Sequence, residues 1–205
     1  MKVRTEARRQ AIVEAAAGLF QELGYEGASM NELAKRLGGS KATLYGYFAT
    51  KEALFVAVVQ SLATAHLSGA VEELSVEAAG RAGLEAALTR FGEHMLRVLA
   101  NDATALTVYR MVVAEAGRSD VGQLFHDAGP RQSVEALAGM LSAAMKRGEM
   151  RRADPKVTAQ QFLALVTAEI DVRLYQRDPP PLSAAQIRQL VRRAVEMFFA
   201  GTAPR

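Results

Sequence analysis

The stretch from Ser29 to Phe48 constrains this chain most, because it has room only for two short helices and a tight turn between them. Ser29-Met30-Asn31-Glu32 reads as a capping box, in which the Ser hydroxyl accepts from the third helical amide while Glu reaches back. The helix it opens carries Leu33, Ala34 and Leu37 and stops at Gly38-Gly39. Ser40 then caps a second short helix holding Thr43, Leu44 and Tyr45, and Thr50 caps a longer one with Leu54, Phe55, Val58 and Val59. Upstream, Ile12, Ala15, Ala16, Leu19, Phe20 and Leu23 form one stripe at helical spacing, and Gly24 supplies the stop. A helix, a tight turn and a second helix is the geometry that lets a recognition helix enter the DNA major groove, about 12 Å wide.

The rest of the chain is punctuated for helices too, and no segment reads as a strand. Residues 68–82, rich in Gly, Ala and Glu, look like a connection. Beyond them a stripe of Leu84, Leu88, Phe91, Met95 and Val98 is followed by a restart at Asn101-Asp102, running through Tyr109, Val112 and Val113 to Gly117. Gly129-Pro130 opens a helix that closes on Lys146-Arg147-Gly148, cations then Gly, as the macrodipole and a left-handed cap prefer. Asp154-Pro155 places an N-cap before a Pro at the first helical position. One helix is then expected over 156–177, and Ser183 with Gln186 starts the last as a second capping box.

Composition excludes several classes. Half of the 205 residues are hydrophobic and 23% are charged, which supports a folded core rather than disorder. No apolar run approaches the roughly 20 residues of a membrane span, and the start lacks a signal-peptide pattern, so a cytoplasmic protein without membrane contact is expected. The absence of cysteine removes disulfides and thiolate metal sites. Charge is placed unevenly: residues 1–51 hold eight basic side chains against five acidic ones, whereas the remainder balances at 17 of each. A basic end on a neutral body suits a module that faces phosphate.

Within the second short helix, Leu44 and Phe48 anchor inward, leaving Lys41, Ala42, Thr43, Tyr45 and Tyr47 toward solvent or DNA. The amides near Ser40 and Thr50 are candidate phosphate ligands. Ile12-Val13-Glu14-Ala15-Ala16, Leu19-Phe20, Gly24-Tyr25, Ser29, Leu33-Ala34, the run Ser40 to Phe48, and Lys51-Glu52-Ala53-Leu54-Phe55 together resemble the DNA-binding domain of the TetR/AcrR family of bacterial regulators. The chain departs from that pattern at Gly39, where the family usually has an apolar residue. The resemblance implies a homodimer reading a palindromic operator with its two heads about 34 Å apart. It also implies DNA contacts from Lys41, Thr43, Tyr45, Tyr47 and Lys51, with Ser29 touching phosphate. In the C-terminal part, Val112 to Ala116, Phe125 to Pro130 and Gly148 to Pro155 are similar to the AefR-like subgroup.

Catalysis is not expected. Gly38-Gly39-Ser40-Lys41 fails the phosphate-loop pattern, since Lys41 follows Ser and precedes Ala. His66, His94 and His126 are scattered, and Glu169 and Asp171 point to different sides of a helix, so neither a metal nor a cofactor is expected. An adaptable effector pocket is expected from Phe91, His94, Met95, Val98, Tyr109, Met111, Val112, Phe125, Met140 and Phe162, with Glu115 and Glu169 for a polar contact. Two apolar stripes on the 156–177 helix need cover on both sides. Leu163, Val166, Ile170 and Leu174, with Leu137 and Leu141 of the preceding helix, are therefore the expected dimer contact. The expected architecture is all-α: a three-helix helix-turn-helix domain at 1–50 on a larger helical body at 51–205 that dimerises and binds an effector. The expected function is a repressor released by a small apolar or cationic ligand. A DNA-binding regulator controlled by a protein partner or by its abundance is the alternative.

Overall fold

The computed structural model describes residues 5–61 and 80–204, so most of the expected connection, with Lys2, Arg4 and His66, lies outside the described residues. The helices are α1 (Glu6–Gly27), α2 (Met30–Arg36), α3 (Lys41–Tyr47), α4 (51–61 of the described residues), α5 (Gly80–Asn101), α6 (Ala103–Glu115), α7 (Val121–Ala128), α8 (Pro130–Lys146), α9 (Pro155–Thr167) and α10 (Ala184–Thr202). A 3₁₀ turn spans Asp171–Tyr175, and no strand occurs among the described residues.

The caps read from the sequence form, and Thr5 adds one that it did not single out. Thr5, Ser29, Ser40, Thr50, Asp154 and Ser183 each accept an amide hydrogen bond from the turn they open, and Ser183 with Gln186 makes the reciprocal pair. At Ser29 only half of the expected box is present, because the Glu32 carboxylate turns to Arg36, 3.6 Å away. Gly24 breaks α1 by taking φ 70°, a region open to glycine at little cost.

The described residues divide into two compact units, one of 5–61 with 104–129 and the other of 80–103 with 130–204. The expected division at residue 50 does not follow these units. The reason is apolar: Leu54, Phe55 and Val58 of α4 and Val108, Met111 and Val112 of α6 share one core with Ile12, Phe20 and Leu33. Phe20, Tyr25 and Phe55 meet at its centre with ring centroids 5.2–5.8 Å apart.

The second unit packs α5, α8, α9 and α10 around Phe91, Phe162 and Phe198. A side chain at Gly92 would meet Val191 Cγ1 at 2.9 Å, so α5 and α10 approach through the missing side chain. Leu137, Leu141 and Val166 are 0%, 0% and 2% exposed in this core, and Ile170 is also buried. These four expected dimer contacts are therefore already spent inside the subunit.

The expected continuous helix over 156–177 ends at Thr167. The Thr167 hydroxyl donates to the Leu163 carbonyl, a local bond that competes with the helical ladder. Ile170 and Arg173 then close tighter turns onto Thr167 and Ile170. The buried Arg173 guanidinium donates to the Ala100 carbonyl at the C-terminal end of α5, 3.1 Å away, where a cation complements the helix dipole. Asn101 completes this junction by exchanging two hydrogen bonds with the Leu182 backbone.

Candidate nucleic-acid interface

The reading head is built by burying one side of each short helix. Met30, Leu33 and Ala34 of α2 and Leu44 of α3 are buried, as is Phe48, the residue that closes α3. Between them the chain makes a full Schellman closure: the Gly39 amide donates to Ala34 and the Gly38 amide to Lys35. Gly38 takes φ 59°, which suits glycine, whereas Gly39 is not at positive φ. This fixes α3 against α2 with Lys41, Ala42, Thr43 and Tyr45 exposed on its outer side. Tyr45 is 48% exposed. Lys41 has no hydrogen bond or ion pair among the described residues, so its ammonium is available to an anion.

The expected contacts are not equivalent. Tyr47 is half-buried against the apolar core, and its hydroxyl accepts from the Thr5 amide at 3.2 Å, leaving the hydroxyl proton to donate outward. Ser29 is exposed with its oxygen already accepting from Glu32, and the Ser40 and Thr43 hydroxyls bond to each other at 2.9 Å. Lys51 differs most from expectation. Its ammonium donates to the Tyr25 carbonyl at 3.0 Å and sits 4.3 Å from the centre of the Tyr25 ring. Tyr25 in turn donates to Glu52 at 3.3 Å, and burial, then Glu52, push its phenol above the ordinary 10.0. Lys51 thus fastens α4 to the end of α1.

Three cations that the charge pattern groups with the phosphate-facing end, Arg8, Arg9 and Arg36, instead hold the head together. Arg8 donates to the Leu37 carbonyl, Arg9 stacks over Phe48 at 5.1 Å, and Arg36 pairs with Glu22 at 2.7 Å. The Arg36 pair holds the Glu22 carboxyl below its ordinary value. The partners are 14 to 39 positions away along the chain, so no local spacing points to them.

The expected pocket residues fall in both units. Tyr109, Met111, Val112, Glu115 and Phe125 belong to the first; Phe91, His94, Met95, Val98, Met140, Phe162 and Glu169 belong to the second. Phe91, Met95 and Phe162 are packed core, and Glu169 is an exposed carboxylate paired to Arg193 at 2.8 Å, pointing away from any interior. In the first unit Tyr109 and Phe125 meet edge to face at 5.9 Å. On the same helix Glu115 Oε2 is buried with no hydrogen-bond partner among the described residues. A depression lined by Met145, Lys146, Met150, Arg151 and Arg152 holds none of the expected pocket residues.

Comparison with known proteins places these features. Residues 12–58 match the family model for bacterial regulatory proteins, tetR family, and residues 86–201 match that for the C-terminal domain of AefR-like transcriptional repressors. The HTH-type transcriptional activator FasR of Mycolicibacterium smegmatis is 38% identical over 86 residues. That match covers 42% of this chain and 39% of FasR, under two thirds of its length. A TetR-family transcriptional regulator from Mesorhizobium loti superposes with TM-score 0.79 at 26% identity, covering 98% of this chain and all of the other. The flavonoid-responsive regulator FrrA does so with TM-score 0.75 at 29% identity over 98% of this chain and all of its own.

Proposed function

Because the chain belongs to the TetR family of bacterial regulatory proteins and is a transcriptional regulator rather than an enzyme, we propose that it is a homodimeric repressor that a small ligand releases from a palindromic operator. The observation that carries the reading is the outer side of α3, where Lys41, Thr43 and Tyr45 stand exposed on a helix fixed from behind by Leu44 and Phe48. Phosphate contacts set register and base-edge contacts set sequence, and this side offers a cation for the first and hydroxyls for the second.

Two features of the C-terminal part support the dimer and the ligand. The exposed large apolar side chains include Val172, Tyr175 and Met197. Met197 lies one turn past Arg193 on α10 and so neighbours the Arg193–Glu169 pair, whereas Val172 and Tyr175 stand on the 3₁₀ turn beyond the end of α9. A second copy covering α10 and the 3₁₀ turn would remove these three side chains from water, which favours α10 over α8 at the dimer contact. For the ligand, the unpartnered Glu115 oxygen beside Met111 and Val112 favours an apolar molecule carrying a hydroxyl or cationic donor. FrrA, similar over its whole length, is flavonoid-responsive, and a flavonoid is an apolar ring system with hydroxyl donors. Such a ligand shifts the DNA-bound equilibrium by no more than its differential affinity for the two states.

The test is a titration of the purified protein against the DNA upstream of its own gene, with a scrambled duplex as control. Saturable binding of dimers to the upstream duplex, weakened by a hydroxylated aromatic ligand that also raises Tm, is the expected result. Equal, weak binding to both duplexes overturns the reading.

A further inference from the structure

Gly39 sits where a Schellman closure usually places an apolar side chain against the turn before it. Its backbone does not demand glycine, since φ is not positive there. What stands in the space is a cation from another helix. A Cβ built on Gly39 would come within 3.3 Å of Arg8 Nη2, the same nitrogen that donates to the Leu37 carbonyl at 3.4 Å. Leu37 closes α2, so its carbonyl is one of those left without a helical partner. Arg8 satisfies it with a charged donor at the negative end of the α2 dipole.

We propose that Arg8 is a positioning residue for operator recognition: its guanidinium occupies the place of the missing side chain at Gly39 and clamps the turn that aims α3. The proposal rests on the operator-binding reading above. Two neighbouring contacts make α1 the frame for this clamp. Arg9, the next residue, stacks over Phe48 at the far end of α3, and the Thr5 amide donates to the Tyr47 hydroxyl. The first turns of α1 therefore grip α3 at its C-terminal end and the turn at its N-terminal end. The distance across the turn is what a side chain at residue 39 would alter. Glycine here is complementary to Arg8, and an apolar residue at 39 would do the same work without it.

The experiment compares wild type, R8A, R8K, G39V and R8A/G39V as full chains. Each is titrated over a range of salt against the upstream and the scrambled duplex. Amide exchange, as protection relative to the intrinsic rate of each sequence, is followed at positions 38 and 39 in the free proteins. R8A is expected to lose about tenfold in binding to the upstream duplex while its salt slope and its binding to the scrambled duplex stay unchanged, because a clamp and no phosphate contact is lost. G39V is expected to lose a similar factor by displacing the guanidinium, and R8K to recover part of the loss. R8A/G39V is expected to bind better than either single variant, with amide protection at positions 38 and 39 returning toward wild type. A salt slope shallower by about 1.8 in the R8A dimer would make Arg8 a phosphate ligand and overturn the proposal. So would additive losses in the double variant. If wild type itself does not prefer the upstream duplex, the operator reading fails. The exchange data then decide the clamp alone, and unchanged protection in both R8A and G39V overturns it.

Discussion

Replacing Lys41 and replacing Lys51 should produce different defects, although the two lysines flank the same helix. Lys41 is exposed and has no partner among the described residues, whereas the Lys51 ammonium is held by the Tyr25 carbonyl and ring. Each phosphate contact contributes about 0.9 to the slope of log affinity against log salt. A K41A dimer loses two such contacts, so its slope should fall by about 1.8. Raising salt from about 50 to about 200 mM should then shrink the K41A defect by about tenfold, because the missing contacts are worth less where counterions compete. K51A should keep the wild-type slope. It instead leaves the Tyr25 carbonyl without its charged donor, which is worth about 1.5–3 kcal/mol for a bond to a charged group and less here for the partial exposure. Its signature is a lower Tm with unaltered salt dependence. Fluorescence anisotropy at several salt concentrations and a thermal melt measure both. A K41A slope equal to wild type, or a K51A slope reduced by about 1.8, refutes the assignment of the two roles.

Three further outcomes follow from the C-terminal unit and from the charged surface. G92A gains roughly 0.5–1 kcal/mol of helix propensity but places a methyl 2.9 Å from Val191 Cγ1, an overlap worth about 1–3 kcal/mol, so Tm should fall by about 2–4 °C at fixed protein concentration. Adding V191A should make the double variant better than the sum of the singles, and a rise in Tm for G92A alone would show the contact to be loose. M197E places a charge from each subunit at the proposed dimer face; sedimentation should report monomer at micromolar concentration, and an unaltered dimer would exclude this face. Hydrogen bonds from Arg36, Arg147 and Arg193 hold Glu22, Glu149 and Glu169 below their ordinary 4.5. With the folded values depressed, their contribution is present above the unfolded value and is lost as pH falls through the folded ones. Tm should therefore be flat from about pH 8 to 6 and drop below about 4.5, and E169Q should soften that drop.

The parts legible in the sequence were those decided within a few residues of themselves. Ser40, Asp154 and Ser183 cap helices because a short oxygen-bearing side chain reaches amides two or three residues on. The inward pair Leu44 and Phe48 follows from a four-residue spacing. The parts not legible there were decided by partners distant in the chain. Nothing near Lys51 shows that Tyr25 will hold it, and nothing near residue 170 shows that Arg173 will reach Ala100. The cover of the 156–177 stripes shows the same limit: an apolar stripe states that cover is needed but not which neighbour provides it. Leu137 and Leu141 found theirs inside the subunit, and Val172 and Met197 did not.

The same distinction sets the size of the electrostatic term. Residues 1–51 carry eight cations, and counting all of them in a dimer would give a salt slope near −14. Arg8, Arg9, Arg36 and Lys51 are engaged within the head, by Leu37, Phe48, Glu22 and Tyr25 respectively. Lys35 and Lys41 are exposed and without a partner among the described residues, so together they supply about −3.6 for a dimer. Lys2 and Arg4, outside the described residues, would extend this to about −7 if both reached phosphate. The wild-type slope should therefore lie between about −3.6 and −7. A value near −14 would mean that the internal cations leave their partners on binding, and the helix-turn-helix would then have to reorganise around DNA rather than dock as it stands.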